Sequence, residues 1–211
     1  MKVLITTGPT REAIDPVRYL SNRSSGRMGF ALAGEAASRD HKVILITGPV
    51  SLPTPENVKR IDVVSAEDMY RAVIDQLEDV DIAIHSAAVA DYRPKDVHEE
   101  KAKKAAEEWT ITLERTTDIL GSMRDPLSYD KILVGFAAET ENLLPNARLK
   151  LTKKGCDLVI ANDVSRRDIG FDQPYNEVTL LFKDGREEAV PKQTKEALAA
   201  LLCDRIESIS L

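Results

Sequence analysis

Short runs of apolar, β-branched residues alternate along this chain with longer amphipathic stretches, a rhythm that predicts a parallel sheet flanked by helices. Strands are expected at residues 2–7, 42–47, 60–64, 81–85, 132–137 and 158–161, and helices at 29–39, 66–77, 117–123, 143–154 and 193–208. Ser65, followed by Ala66, Glu67 and Asp68, predicts a helix N-cap with acids in the first turn. Two regions break the rhythm. Residues 90–108 lack apolar periodicity, are rich in lysine and glutamate, and read as a flap or an excursion from the sheet. Near the end, alternating runs at 177–182 and 187–190 flank Lys183-Asp184-Gly185-Arg186, the signal of a β-hairpin. The expected fold is one α/β domain over residues 1–211. It is a Rossmann-like, mostly parallel sheet flanked by helices, with a C-terminal antiparallel hairpin at its edge.

At 211 residues, 43% hydrophobic and 30% charged, the chain can bury a sizeable core. Its formal charge of −6 argues against a general nucleic-acid role, because no overall basic field would hold a phosphate backbone. The two cysteines, Cys156 and Cys203, form no CxxC pair, and only three histidines are present, so a structural zinc site is not expected. A reduced, cytoplasmic protein fits this usage. Met1-Lys2 leads straight into a strand, which reads as no signal peptide. No apolar run approaches the ~20 residues of a membrane helix.

The segment Ser21-Asn22-Arg23-Ser24-Ser25-Gly26-Arg27-Met28-Gly29 joins the first strand region to a helix. Small residues with free N–H groups at a helix start favour anions, and the hydroxyls, arginines and amide here exceed what an ordinary βα turn needs. The expected ligand is a polyphosphate or phosphorylated substrate. No GxGxxG is present, and Thr47-Gly48-Pro49 stands where a dinucleotide site would place its ribose-binding acid. The run His85-Ser86-Ala87-Ala88-Val89-Ala90-Asp91-Tyr92-Arg93-Pro94 leaves a central strand at its carboxyl end, where open α/β sheets bind ligands. Asp91 there can position a metal, an amide or a hydroxyl, or simply cap a tight strand exit. His85 reads as a hydrogen-bonded core residue rather than a general base. Lys101, Lys103 and Lys104 are either an anion clamp or a solvated charge run, the latter strengthened by Glu99, Glu100, Glu107 and Glu108. Lys150 and Lys154 share a helix face, and Phe136, at a strand end, is either core or a base-stacking ring.

Together these motifs resemble the phosphopantothenoylcysteine synthetase (phosphopantothenate–cysteine ligase) family over nearly the whole chain. The resemblance rests on Thr10-Arg11-Glu12-Ala13-Ile14-Asp15-Pro16-Val17-Arg18, on residues 22–29 and 87–94, and on the Lys-x-Lys-Lys at 101–104. It continues through Gly135-Phe136-Ala137-Ala138-Glu139-Thr140, then Ala161-Asn162-Asp163, Gly170-Phe171 and Asn176. The Lys-x-Lys-Lys is typical of the bacterial, CTP-using type.

The resemblance implies a ligase that joins phosphopantothenate to L-cysteine through an acyl-cytidylate, with CTP as substrate, Mg²⁺ as cofactor and CMP and pyrophosphate released. It implies that Ser24, Gly26 and Gly29 cradle the triphosphate. Asn22 handles the acyl intermediate, Lys101 serves its formation, and Ala87, Ala88 and Asp91 line the substrate pocket. Phe136, Lys150, Lys154, Asn162 and the turn Thr116-Thr117-Asp118-Ile119 surround the nucleotide, Asp91 serving either ligand. Thr116-Thr117 departs from the Asn-Pro that bacterial relatives often carry. The family is dimeric, so a homodimer is expected, with the edge hairpin or the 90–108 excursion near the partner. In many bacteria this domain is fused to a flavin-dependent decarboxylase. The chain reads as either a free-standing synthetase that works with a separate phosphopantothenoylcysteine decarboxylase or an excised domain. Two other readings are an NAD(P)-dependent oxidoreductase, which lacks its Tyr-x-x-x-Lys pair here, and a non-catalytic nucleotide-binding module.

Overall fold

A computed structural model describes residues 1–103, 108–165 and 173–209. Lys104 and Glu107 of the lysine-rich run, and Gly170 and Phe171, lie outside the described residues.

In chain order the elements are β1 (Lys2–Thr7), β2 (Arg11–Ala13), β3 (Tyr19–Ser21), α1 (Arg27–Ser38), β4 (Lys42–Thr47), β5 (Val58–Asp62), α2 (Ala66–Gln76) and β6 (Ile82–His85). There follow β7 (Tyr92–Pro94), β8 (Leu113–Arg115), α3 (Ile119–Ser122), β9 (Ile132–Glu139), α4 (Leu143–Lys154), β10 (Leu158–Asp163), β11 (Tyr175–Phe182), β12 (Glu187–Thr194) and α5 (Lys195–Glu207). One eight-stranded sheet runs β12-β11-β10-β9-β6-β1-β4-β5. The six strands from β10 to β5 are parallel, and β11 and β12 close the edge as an antiparallel hairpin. The mostly parallel α/β fold with an antiparallel edge is therefore the one read from the sequence.

The central strands are buried on both faces, which explains their near-continuous apolar runs. One face is covered by α1 and α5, where Phe30, Leu32, Leu198 and Leu202 pack on Val3, Ile5, Ile160 and Leu180. The other is covered by α2, α3 and α4, where Met69, Val73, Ile119 and Ala147 pack on Leu4, Ile46, Leu133 and Val159. From β1 the chain moves outward to β4 and β5, then returns to β6 on the opposite side. That reversal opens a crevice beyond the carboxyl ends of β1 and β6, the usual ligand position in such sheets.

Ser65 caps α2 as expected, and Asp68 completes a reciprocal capping box. Other boundaries shift for identifiable reasons. The expected strand at 60–64 lies two residues earlier, because Val58 to Asp62 pair in register with Val43 to Thr47 while the residues after it lead into the α2 cap. The helix expected at 117–123 shrinks to Ile119–Ser122, since the Asp118 side chain caps it by accepting from the Gly121 N–H at 2.9 Å. β12 continues through Pro191 and delays α5, which an edge strand permits. The region expected as a bare excursion contains β7, which pairs with β8, while β2 and β3 form a second small sheet packed against it. Among the described residues, no helix is long and apolar enough to cross a membrane.

Candidate active site

The crevice is a cleft of 760 Å³ over the sheet's switch point. Its floor is the exit of β1 and β6, at Thr6, Thr7, His85 and Ser86. One wall is the turn into α1. Gly26 adopts φ 74°, a left-handed conformation that suits glycine, and caps the helix with no side-chain cap of its own. The first N–H groups of α1 thus remain available for an anion. The Thr7 hydroxyl donates to the Gly26 carbonyl at 2.9 Å and ties that turn to the strand.

Gly29 explains how close the helix comes. A Cβ there would lie 2.3 Å from Thr7 Oγ1 and 2.7 Å from Ser86 Oγ. Gly29→Ala is therefore expected to push α1 off the strand exits and destabilise the fold by roughly 1–3 kcal/mol. The check is urea denaturation, and an unchanged midpoint would show that the helix stands further off.

Asn22 bridges the two walls. Its side-chain N–H groups donate to the carbonyls of Ala88 at 3.1 Å and Val89 at 3.2 Å, which leaves Oδ1 as an acceptor. Ala87, Ala88 and Asp91 line the cleft just beyond, with the Asp91 residue exposed. The far wall comes from β9, α3 and α4. Lys150 Nζ donates to the Phe136 carbonyl at 2.6 Å, and Lys154 pairs with Asp118. Burial pushes the Lys150 ammonium below its ordinary pKa, against the opposing charge of Glu139. Burial works to raise the Asp118 carboxyl, but the hydrogen bonds from Lys154 and the Gly121 N–H outweigh it and hold the group below its usual value.

The Thr116-Thr117 departure leaves the turn anchored. The Thr116 N–H donates to the Asp91 carbonyl at 3.0 Å and its hydroxyl to the Ala90 carbonyl at 2.5 Å. Among the described residues, six cationic side chains (Arg23, Arg27, Arg115, Lys150, Lys154 and Lys195) and three carboxylates (Asp91, Asp118 and Glu139) line the cleft. A chain of net charge −6 therefore gathers an excess of positive charge here.

A family model described as the DNA/pantothenate metabolism flavoprotein C-terminal domain matches residues 1–209. The chain belongs to this family. It is 49% identical over 209 residues to the coenzyme A biosynthesis bifunctional protein CoaBC of Vibrio vulnificus, covering 98% of this chain and 52% of that protein. The chain thus spans about half the length of the curated relatives it matches. A crystal structure of the C-terminal domain of a coenzyme A biosynthesis bifunctional protein CoaBC superposes with a TM-score of 0.84 at 42% identity, over 99% of this chain and 94% of the other. A Cab2 mutant in complex with phosphopantothenate-cysteine shares the fold at 16% identity, with a TM-score of 0.80 over 98% of this chain and 85% of that one.

In this family member the cleft brings together the residues to which the resemblance gives a site role, except Lys101. Asn22, Ser24, Gly26, Gly29, Ala87, Ala88, Asp91, residues 116–119, Phe136, Lys150, Lys154 and Asn162 line it. Lys101 is exposed and stands outside the lining. Arg115 and Lys195 are cleft residues that sequence reading passed over. Arg115 ends a three-residue strand, and Lys195 opens α5, where its 4% exposure is unusual for a lysine.

His85, in the cleft floor, is buried at 8% exposure, with Nδ1 3.3 Å from Thr6 Oγ1 and no partner on Nε2 among the described residues. Burial lowers its pKa from 6.5 to about 4, against the pull of the Asp118 charge. Between those values the unfolded chain binds a proton that the native protein does not, so stability is complete above 6.5 and falls as pH drops through 4. The loss is roughly 3 kcal/mol. His85→Gln is expected to flatten that acid slope. Urea midpoints at about pH 7 and about pH 4 check it, and equal slopes in both proteins would contradict it.

Proposed function

We propose that this cleft joins phosphopantothenate to L-cysteine in two steps driven by CTP, within coenzyme A biosynthesis. The observation that carries the reading is the convergence of six cationic side chains and the open N-terminus of α1 on one cleft at the sheet's switch point. Two anionic reactants must meet there, and that charge offsets their repulsion. The relatives' place in coenzyme A biosynthesis supports the substrate class.

In the first step the phosphopantothenate carboxylate attacks the α-phosphorus of CTP. The bond to the β-phosphate breaks, and pyrophosphate leaves from the cradle of Ser24, Gly26 and Gly29. Phe136, Lys150, Lys154, Asn162 and the 116–119 turn hold the cytidine nucleotide. Ala87 and Ala88 let the acid approach the backbone closely. Lys101 supplies positive charge for the developing phosphorane. In the second step the cysteine amine attacks the acyl carbon, CMP leaves with the C–O electron pair, and the amine gives up a proton. Asn22 Oδ1, left free of the bonds its Nδ2 makes to Ala88 and Val89, is the acceptor we assign to that amine.

Among the described residues no group of three or more His, Cys, Asp or Glu side chains could hold a metal by themselves. That donor set fits Mg²⁺ carried on the nucleotide phosphates with one protein carboxylate, for which Asp91 is the exposed candidate. When bound, the ion neutralises phosphate charge.

A homodimer and association with a decarboxylase complete the proposal. Tyr19, Val17, Tyr92, Val97, Trp109 and Leu113 are large, exposed apolar residues on or beside the two small sheets, a surface suited to a second copy. Sedimentation at micromolar concentration should give a dimer, and a monomer would count against it.

Pyrophosphate release from phosphopantothenate, Mg²⁺ and nucleotide, without cysteine, tests the reaction. Release with CTP is expected. No release with CTP or ATP would sink the ligase reading, and equal release with ATP would sink the nucleotide assignment.

A further inference from the structure

The turn at Asp15-Pro16-Val17-Arg18 lies outside the cleft lining, yet it is built around a carboxylate with no exposed side-chain surface. Asp15 Oδ1 accepts from the N–H groups of Val17 and Arg18, both at 2.8 Å. Oδ2 accepts from Arg18 Nε at 2.9 Å and from the Ala102 N–H at 3.2 Å. The Arg18 guanidinium meanwhile donates to the Ala102 carbonyl at 3.0 Å. Both polar groups of Ala102, the residue after Lys101, are thus held by one ion pair.

The same turn grips the excursion at two more points. His98 N–H donates to the Ile14 carbonyl at 3.0 Å, and the Arg18 guanidinium lies 4.4 Å from the centre of the Trp109 ring. The Ile14 N–H closes the turn on the Arg18 carbonyl at 2.9 Å. The Arg18 partner holds the Asp15 carboxyl well below the usual carboxylate range, so it stays an acceptor throughout the working pH range.

A local turn needs only the contacts to Val17 and Arg18. The reach across the sequence to Ala102 is what a purely local role leaves unexplained. We propose that Asp15, with Arg18, is a positioning residue that latches the Ala102 peptide and so sets where Lys101 stands relative to the reactants. The proposal rests on the role given to Lys101 above. Asp15 touches no reactant and acts through the backbone it holds.

Asp15→Asn tests it, because an amide has one acceptor oxygen and puts a donor where another N–H or the guanidinium now points. Hydrogen exchange of peptides spanning residues 96–103 is measured on the full chain without ligands, beside pyrophosphate release with CTP. Exchange there should speed up at least about tenfold while α5 peptides stay unchanged. The kcat for pyrophosphate release should fall about 100-fold, with KM for CTP within about twofold, since misplacing one group is costly and the nucleotide cradle is untouched. In a Lys101→Gln background, Asp15→Asn should cost nothing further, because the two act as one unit.

Unchanged exchange at 96–103 would overturn the latch. Faster exchange with unchanged kcat, or a loss that adds to that of Lys101→Gln, would overturn the positioning of Lys101. Failure of the readings beneath it is distinct: the unsubstituted protein would release no pyrophosphate if the ligase reading fails, and Lys101→Gln alone would leave release intact if the role of Lys101 fails. Arg18→Lys gives an independent result if Asp15→Asn does not fold. It keeps the charge but lacks the fork that reaches Asp15 and the Ala102 carbonyl together, so exchange at 96–103 should again rise.

Discussion

Lys101→Gln is expected to lower pyrophosphate release by roughly 100- to 1,000-fold, the usual effect of removing one group aimed at developing charge. Phosphoryl transfer to the carboxylate brings two anions together, and the charge on the phosphorane exceeds that on either reactant. A cation that reaches the α-phosphate only during the reaction stabilises that state more than the bound nucleotide. The loss should therefore fall on kcat, with CTP binding little changed. Lys101 is exposed and is not part of the cleft lining, so thermal stability should move by no more than about 0.5 kcal/mol. Steady-state pyrophosphate release and a melting curve on the same preparation separate the two effects. A variant with full activity would remove Lys101 from the mechanism.

Asn22→Asp should spare the first step and stall the second. The native amide donates to the Ala88 and Val89 carbonyls, and a carboxylate at that place has only acceptors to offer them. Its effect on cysteine is larger. An Asn oxygen accepts one N–H from a neutral amine, whereas a carboxylate stabilises the ammonium form, which has no lone pair for attack. The expected outcome is about one equivalent of pyrophosphate per site followed by accumulation of the acyl-cytidylate in the presence of cysteine. Rapid-quench analysis of both products checks this. Equal loss of both steps would refute the division of roles between Asn22 and Lys101.

The parts of the site that were legible in the sequence are those made by consecutive residues. Asn22 to Gly29 and Ala87 to Asp91 each carry small residues and polar groups within a few positions, and β1 and β6 are neighbours in the sheet, so both runs exit into one crevice. Lys150 and Lys154 were readable because four residues make one helical turn. Lys195 was not, because it reaches the cleft only through the path of β11 and β12 back over the sheet, which no local pattern encodes. β2 and β3 escaped for another reason. Each has three residues with little burial, so neither shows the alternation that marks a strand. The flap lysines could be named from their motif, but what holds Lys101 in place could not. The Ala102 contacts come from Asp15 and Arg18, 87 and 84 residues earlier, and only the folded chain brings that ion pair to the excursion.

The central claim is that one cleft activates a carboxylate with CTP and then passes it to an amine. Mass spectrometry of the reaction with phosphopantothenate, CTP and Mg²⁺, with and without cysteine, tests it most directly. Without cysteine, pyrophosphate and the phosphopantothenoyl-cytidylate should form together. With cysteine, phosphopantothenoylcysteine and CMP should appear in equal amounts as the cytidylate disappears. Product formed with no cytidylate trapped in the Asn22→Asp protein, or no product at all, would contradict the account.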